Sequence, residues 1–191
     1  MNKLMFYFFL FSAVHISASD QFLFRGLPWD STLEKVIVEE GLPDYKGLIN
    51  DGTSYLRYNN KNVGEYDSRL EYYFKMYDGK QYISSALYTI SFPQKISVFD
   101  NPDPSPFINV YLDLQKKLTS LYGYPFLRMD AGPITEPISS SAVYNFQDEL
   151  PFVTSWVVNT TTVSLSFYII NIYYSVDLQF TAPIPIQSDN T

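Results

Sequence analysis

The chain has 191 residues, 46% hydrophobic, 18% aromatic and only 17% charged, with a formal net charge of −7. That balance excludes a disordered chain, which would combine low hydrophobicity with high charge. With no cysteine and a single histidine, His15, the sequence also excludes disulfides, thiolate nucleophiles, cysteine-ligated zinc and iron–sulfur clusters.

Residues 1–19 read MNKLMFYFFLFSAVHISAS. Lys3 supplies a positive start, Leu4 to Val14 is apolar apart from Ser12, and Ser17-Ala18-Ser19 puts small residues before a cut between Ser19 and Asp20. This three-part layout is the secretory signal pattern. The alternative is an uncleaved anchor, but a spanning helix needs about 20 apolar residues, more than this run offers. The expectation is an exported protein, periplasmic or secreted. Cleavage removes Lys3, His15 and no acid, so the mature chain is one unit more acidic and has no imidazole. Its acidity disfavours nucleic acid and anionic lipid as partners. Losing His15 removes Ser-His-Asp, Cys-His and histidine-metal chemistry. At this size about 70% of the unfolded surface is buried, enough for one substantial core.

Gln21 to Arg25 reads as a short strand that Gly26-Leu27-Pro28-Trp29-Asp30 breaks. Ser31 and Glu34 have capping-box spacing, and Leu33, Val36 and Ile37 form a helical stripe, so a helix is predicted over 31–40. Lys35 and Glu39 are an i, i+4 pair. Gly41 and Pro43 end the helix. A β region follows: strands 45–50 and 54–59 flank Asp51-Gly52, Asn59-Asn60-Lys61-Asn62 is a turn, and strands 69–77 and 81–92 flank Asp78-Gly79. Leu70, Tyr72, Phe74 and Met76 share one face, and Glu71, Tyr73, Lys75 and Tyr77 the other.

Residues 93–106 carry four prolines and form a loop; Ser105 is the expected N-cap of a second helix, with Pro106 in its first turn. Phe107, Val110, Tyr111, Leu114, Leu118 and Leu121 make its apolar stripe, Asp113 and Lys117 pair on its wet side, and Gly123 and Pro125 end it. Residues 130–141 are a second loop. Strands at 153–158, 161–169 and 172–180 then alternate cleanly, and residues 183–191 form a patternless tail. Each helix ends in Gly-x-Pro and leads into antiparallel strands. The mature chain is thus one domain, 20–182, with possible halves 20–92 and 105–182; coincidence is the alternative, since Gly then Pro is ordinary stop chemistry.

The string Phe24-Arg25-Gly26-Leu27-Pro28-Trp29-Asp30-Ser31, followed by Gly41-Leu42-Pro43, resembles a motif of small exported bacterial proteins of unknown function. In those, F-x-G-[hydrophobic]-x-W-G-x-S leads into a helix ending G-x-P. Asp78-Gly79-Lys80, the segment Leu121-Tyr122-Gly123-Tyr124-Pro125 and Trp156 extend the resemblance over most of the mature chain. Asp30 stands where that family usually has Gly. The helix-then-meander unit is also similar to β-lactamase-inhibitor-like domains and to SmpA-like outer-membrane assembly lipoproteins, which implies a binding or assembly module; this likeness rests on topology. Neither resemblance supplies catalytic residues.

The chemistry left to the mature chain is that of carboxylates, Lys, Tyr or hard-metal ligands. Asp100-Asn101-Pro102-Asp103 lacks the layout of a calcium loop and reads as a turn. Asp148-Glu149 reads as a solvated turn, since neighbours do not show two carboxyls facing across a cleft. No glycine-rich loop precedes a helix, so phosphate cradling is unsupported. Asn159-Thr160-Thr161 is a sequon and equally a hairpin turn. No catalytic residue, cofactor or metal site is assigned.

Aromatic content is the unusual quantity, with 17 Tyr and 15 Phe. Trp29 and Trp156 are expected in the core, the alternative being a ligand groove. Tyr73, Tyr77, Tyr168 and Tyr173 lie on polar strand faces, where Tyr suits a protein or sugar surface; cross-strand packing is the alternative. The uncharged run Tyr168–Tyr174 would need cover at a hairpin tip. The fold expected is α+β, a mainly antiparallel sheet with two helices on one face; the runner-up is a β-sandwich or barrel. The expected function is non-enzymatic binding of a protein or cell-envelope component through the Tyr-bearing face and hairpin tips. The alternatives are a carboxylate glycan hydrolase or a carrier of small apolar ligands.

Overall fold

The computed structural model describes residues 22–91, 104–129, 152–170 and 173–183. The expected signal segment, the Asp100–Asp103 and Asp148-Glu149 runs, the loop at 130–141 and most of the tail lie outside them. The fold is α+β. The chain runs β1 (Leu23–Phe24), β2 (Leu27–Pro28), α1 (Leu33–Glu40), β3 (Tyr45–Leu48), β4 (Ser54–Val63), β5 (Tyr66–Tyr77) and β6 (Lys80–Ile90). It continues with α2 (Ser105–Tyr122), β7 (Leu127–Met129), β8 (Phe152–Val158), β9 (Thr161–Ile170) and β10 (Tyr173–Thr181).

Eight strands form one antiparallel sheet in the order β3-β4-β5-β6-β10-β9-β8-β7. That order reads alike from either edge. Each half is a helix, a Gly-x-Pro stop, an edge strand and three further strands, and the halves join where β6 pairs with β10, Tyr88 opposite Leu178. A hydrogen bond repeats in both halves as well. Tyr58 of β4 donates its hydroxyl to the carbonyl of Gly41 at 3.1 Å, and Trp156 of β8 donates Nε1 to the carbonyl of Gly123 at 3.1 Å. Each helix end is thus tied to the second strand of its own half.

Both helices pack on one face, because the period-2 strands turn their apolar residues that way. Leu56, Leu70, Tyr72, Ile83, Val163, Leu165, Val176 and Leu178 are buried there with Val36 of α1 and Tyr111 and Leu114 of α2. Met76, predicted on this face, is exposed, because it stands at the last turn before Asp78-Gly79, past the cover of the core.

Several expected boundaries move. Phe24 to Leu27 is a hairpin rather than a broken strand: Phe24 pairs with Leu27 around Arg25-Gly26, both at positive φ (53° and 81°). The α1 N-cap is Thr32, whose hydroxyl accepts from the Lys35 amide at 3.3 Å, so the Ser31–Glu34 capping box does not form. The Ser31 amide is already taken by a turn to the Pro28 carbonyl at 3.0 Å, which holds Ser31 outside the helix. At α2 the cap position is Pro104, whose carbonyl accepts from both the Phe107 and Ile108 amides, at 3.0 and 3.1 Å. The Asp113–Lys117 pair closes at 2.5 Å, whereas no Lys35–Glu39 ion pair forms among the described residues. The turn expected at Asn59–Asn62 is strand: β4 continues to Val63 through a bulge between Tyr58 and Lys61. The Ser68 hydroxyl fixes that bulge by donating to the Lys61 carbonyl at 2.5 Å.

Gly41 and Gly123 end their helices at φ 90° and 82° with extended ψ, a region that side chains other than glycine rarely enter. A Cβ there would touch nothing within 4 Å, so any penalty is backbone strain alone. Gly41→Ala and Gly123→Ala should each cost about 1–3 kcal/mol, read as a lower urea midpoint with unchanged slope. An unshifted midpoint would refute the strain argument.

Candidate functional site

Two clusters of charged residues are closed on themselves. The first lies where α1 meets the sheet. Glu40, at the last turn of α1, has a 5% exposed side chain and accepts from the Arg25 guanidinium, from Lys61 Nζ at 2.7 Å and from the Tyr72 hydroxyl at 2.6 Å. Arg25 also donates to the Tyr88 hydroxyl at 3.1 Å. Burial alone would raise the Glu40 carboxyl, but the hydrogen bonds from Arg25, Lys61 and Tyr72 outweigh it and hold the group below its ordinary value. Burial first, then the neighbouring Glu40, pushes the Tyr58 phenol up to about 12. Both groups are locked at neutral pH, so the cluster clamps the structure and has no proton to exchange.

The second cluster lies on the face opposite the helices. Tyr45, Tyr55 and Tyr73 form a ladder, with ring centroids 5.7 and 6.0 Å apart. Gly47 makes room for it, since a Cβ there would come within 2.7 Å of the Tyr55 ring. The Arg57 guanidinium lies 5.7 and 5.6 Å from the Tyr45 and Tyr55 centroids and donates to Glu71 at 2.7 Å. Tyr73 donates its hydroxyl to the other Glu71 oxygen at 2.8 Å. Burial, then the Glu71 carboxylate, raises the Tyr73 phenol above its ordinary range. Beside this group, Arg69 and Asp177 flank Thr89 in register. Burial raises the Asp177 carboxyl despite the lowering effect of Thr89, Arg69 and Ser175.

The third region is open. At one end of the sheet the β5–β6 turn, the β8–β9 turn, the end of β10 and the approach to α1 converge around a groove of about 660 Å³. Its floor is Phe22 and Trp29, with Trp29 held in a ring stack 5.8 Å from Phe22 and 6.1 Å from Phe24. The Trp29 Nε1 donates to Thr161 at 2.9 Å. Tyr77 and Tyr82 form one wall, edge to face at 6.3 Å. Asp30, Asp78, Lys80, Gln81 and Asn159 stand around them. Asp78-Gly79 and Asn159-Thr160 both turn through positive φ (50° and 71°, 45° and 67°), which suits two-residue hairpins. Unlike Glu40 and Glu71, neither Asp30, Asp78 nor Lys80 enters an ion pair among the described residues.

No protein family matches the chain, and no curated protein or solved structure proves similar to it. The site therefore stands on its geometry.

The structure separates the four tyrosines singled out in the sequence. Tyr77 lines the groove. Tyr73 is tied into the Glu71 cluster. Tyr168 lies half-buried opposite Ser175, and the side chain of Tyr173, which opens β10, is outside the described residues. Trp156 is buried, as expected of a core residue, and Trp29 is buried in the groove floor. Sequence reasoning missed Tyr82, Lys80 and Gln81. The Asp-Gly turn marked their hairpin but not what it faces, because the convergence depends on β6 pairing with β10. Among the described residues no group of three or more acids or histidines could hold a metal, and no helix is long and apolar enough to cross a membrane.

Proposed function

We propose that this chain is an exported, non-catalytic binding module whose ligand seats in the groove at the hairpin-tip end of the sheet. One observation carries the reading: a concave site of about 660 Å³, floored by packed rings and rimmed by polar side chains with no ion-pair partner among the described residues. Its size lies within the ~300–1,000 Å³ typical of ligand sites, and its mix of aromatic wall and few polar groups is their usual lining. Export rests on the residue 1–19 pattern, and the non-catalytic reading on a mature sequence without imidazole or thiol. The Tyr-bearing face contributes less, because Tyr73 and Arg57 are already engaged with Glu71.

The test is retention of cell-envelope components on the immobilised mature protein. Tyr77→Ala/Tyr82→Ala should lower retention about tenfold, since each ring supplies contact area of order 1 kcal/mol. Tyr73→Ala/Tyr168→Ala should leave it largely unchanged. Equal retention by the groove variant, with loss in the face variant, moves the site to the sheet face. No retention by the wild type removes the reading.

A further inference from the structure

We infer that the groove takes a neutral oligosaccharide. This rests on the binding reading above and deepens it by naming the ligand class. Charge decides first. The rim holds the carboxylates of Asp30 and Asp78 against one ammonium, Lys80. A phosphorylated or carboxylated ligand would meet two like charges within an acidic chain of net −7. An uncharged, polyhydroxylated ligand has no such conflict. A cationic ligand is not refused by charge, since two carboxylates face one ammonium; what separates it from a neutral one is the hydrogen-bonding inventory.

The hydrogen-bonding inventory points the same way. A sugar hydroxyl both donates and accepts, and it is best met by planar groups that offer two atoms at once. Carboxylates accept only, ammonium donates only, and amides do both. Asp78, Lys80, Gln81 and Asn159 together supply all three kinds along two neighbouring hairpin tips. None of these four makes a side-chain hydrogen bond or ion pair elsewhere among the described residues, so binding breaks no internal contact.

The rings complete the match. Trp29 stacks with both Phe22 and Phe24 and is only 8% exposed, so it serves as floor and leaves little free face. Tyr77 and Tyr82 are half-buried and meet at 90°, so the apolar face of a sugar ring can lie on one while the edge of the other closes the side. Tyr does this at low entropic cost, having two side-chain torsions and a polar tip. The groove opens to solvent between the tips, which suits a chain of linked rings better than a single enclosed molecule.

The experiment is titration calorimetry of the mature protein with cellotetraose, maltotetraose and chitotetraose, and with spermidine and pyrophosphate as cationic and anionic probes. At least one tetrasaccharide should bind, and Tyr82→Ala and Asp78→Asn should each weaken it about tenfold or more. Asp78→Asn tests the charge without disturbing the turn, because Asn tolerates the left-handed conformation that Asp78 adopts at φ 50°. Circular dichroism melts confirm that both variants fold. If spermidine or pyrophosphate binds in place of every tetrasaccharide, and Tyr82→Ala abolishes that binding, the groove is a site and the sugar assignment is wrong. If no probe binds, or if tetrasaccharide binding is indifferent to both variants, the sugar assignment also falls. Retention of an envelope component that depends on Tyr77 and Tyr82 would then still uphold the broader reading.

Discussion

Glu40→Ala should destabilise the protein by about 3 kcal/mol, the low end of the cost of removing one partner from a buried ion pair. The carboxylate is the single acceptor on which Arg25, Lys61 and Tyr72 converge. Its removal leaves two cations facing a pocket lined by Tyr72 and Tyr88, and a buried phenol without its acceptor. The Arg25 and Lys61 side chains keep 27% and 22% of their exposure, so water relieves part of the loss. The structural consequence is local first. Arg25 sits in the β1–β2 turn, Lys61 in the β4 bulge and Tyr72 in β5, so Glu40 staples three separate segments to the end of α1. The pH dependence follows from the sign of the shift. The folded carboxyl lies below its ordinary 4.5, so its stabilisation is complete above that value and is lost as pH falls through the folded value. Glu40→Gln has no such titration. Urea midpoints of wild type and Glu40→Gln should differ most at neutral pH and converge as pH falls below 4.5 through the folded carboxyl's own value. A gap that stays constant down to pH 2 would show that the carboxylate is not held ionised by its partners.

The fold was legible wherever local chemistry decides it. Period-2 alternation placed Val163, Leu165 and Phe167 inward, and the structure buries all three. Asp78-Gly79 and Asn159-Thr160 are turns in which Asp78, Gly79 and Asn159 readily accept positive φ, while the β-branched Thr160 is carried through it at 67°. Arg25-Gly26 escaped notice because Arg rarely occupies that position, and the hydrogen bonds from Arg25 to Glu40 and Tyr88 keep it there. The Asn59-Asn60 pair misled for the converse reason. Its turn propensity is overridden by strand pairing, with Lys61 opposite Ser68 and Asn62 opposite Asp67. The two Gly-x-Pro stops each precede an edge strand, β3 and β7, and no local pattern could show that, because edge position follows from the sheet order.

The site was much less legible. Tyr77 was named, but its partners come from the residues before β1 and after β2, from β6, from the β8–β9 turn and from the residues that follow β10. No periodicity reports which hairpin tips share one end of a sheet. Glu71 shows the same limit from the other side. Alternation assigns it to the polar face, yet it is only 3% exposed, because Arg57 and Tyr73 close over it. A polar strand face therefore reports direction, not accessibility, and the tyrosines on it divide into engaged and open ones only in three dimensions.

Trp29→Ala should cost about 3–5 kcal/mol, the range for deleting a large buried aromatic. Trp29 is 8% exposed and stacked with both Phe22 and Phe24, and Phe24 in turn meets Phe180 at 4.9 Å and Tyr72 at 5.5 Å. Its backbone carbonyl accepts from the Ile83 amide at 2.9 Å, and its Nε1 donates to Thr161 of the other half at 2.9 Å. One residue thus joins the leading hairpin to β6 and to β9. Trp29→Phe separates the two contributions. It keeps much of the ring stack and loses the indole hydrogen bond, for a total of roughly 1–2 kcal/mol. Thr161→Val, fully buried at its hydroxyl position, removes the acceptor from the other side. A double-mutant cycle between Trp29→Phe and Thr161→Val should return a coupling of about 1 kcal/mol, measured from urea midpoints by circular dichroism. Since Trp29 floors the groove, Trp29→Phe should also weaken whatever binds there while the protein stays folded. Full additivity in the cycle would mean that Trp29 acts through packing alone, and that the two halves are not coupled through this bond.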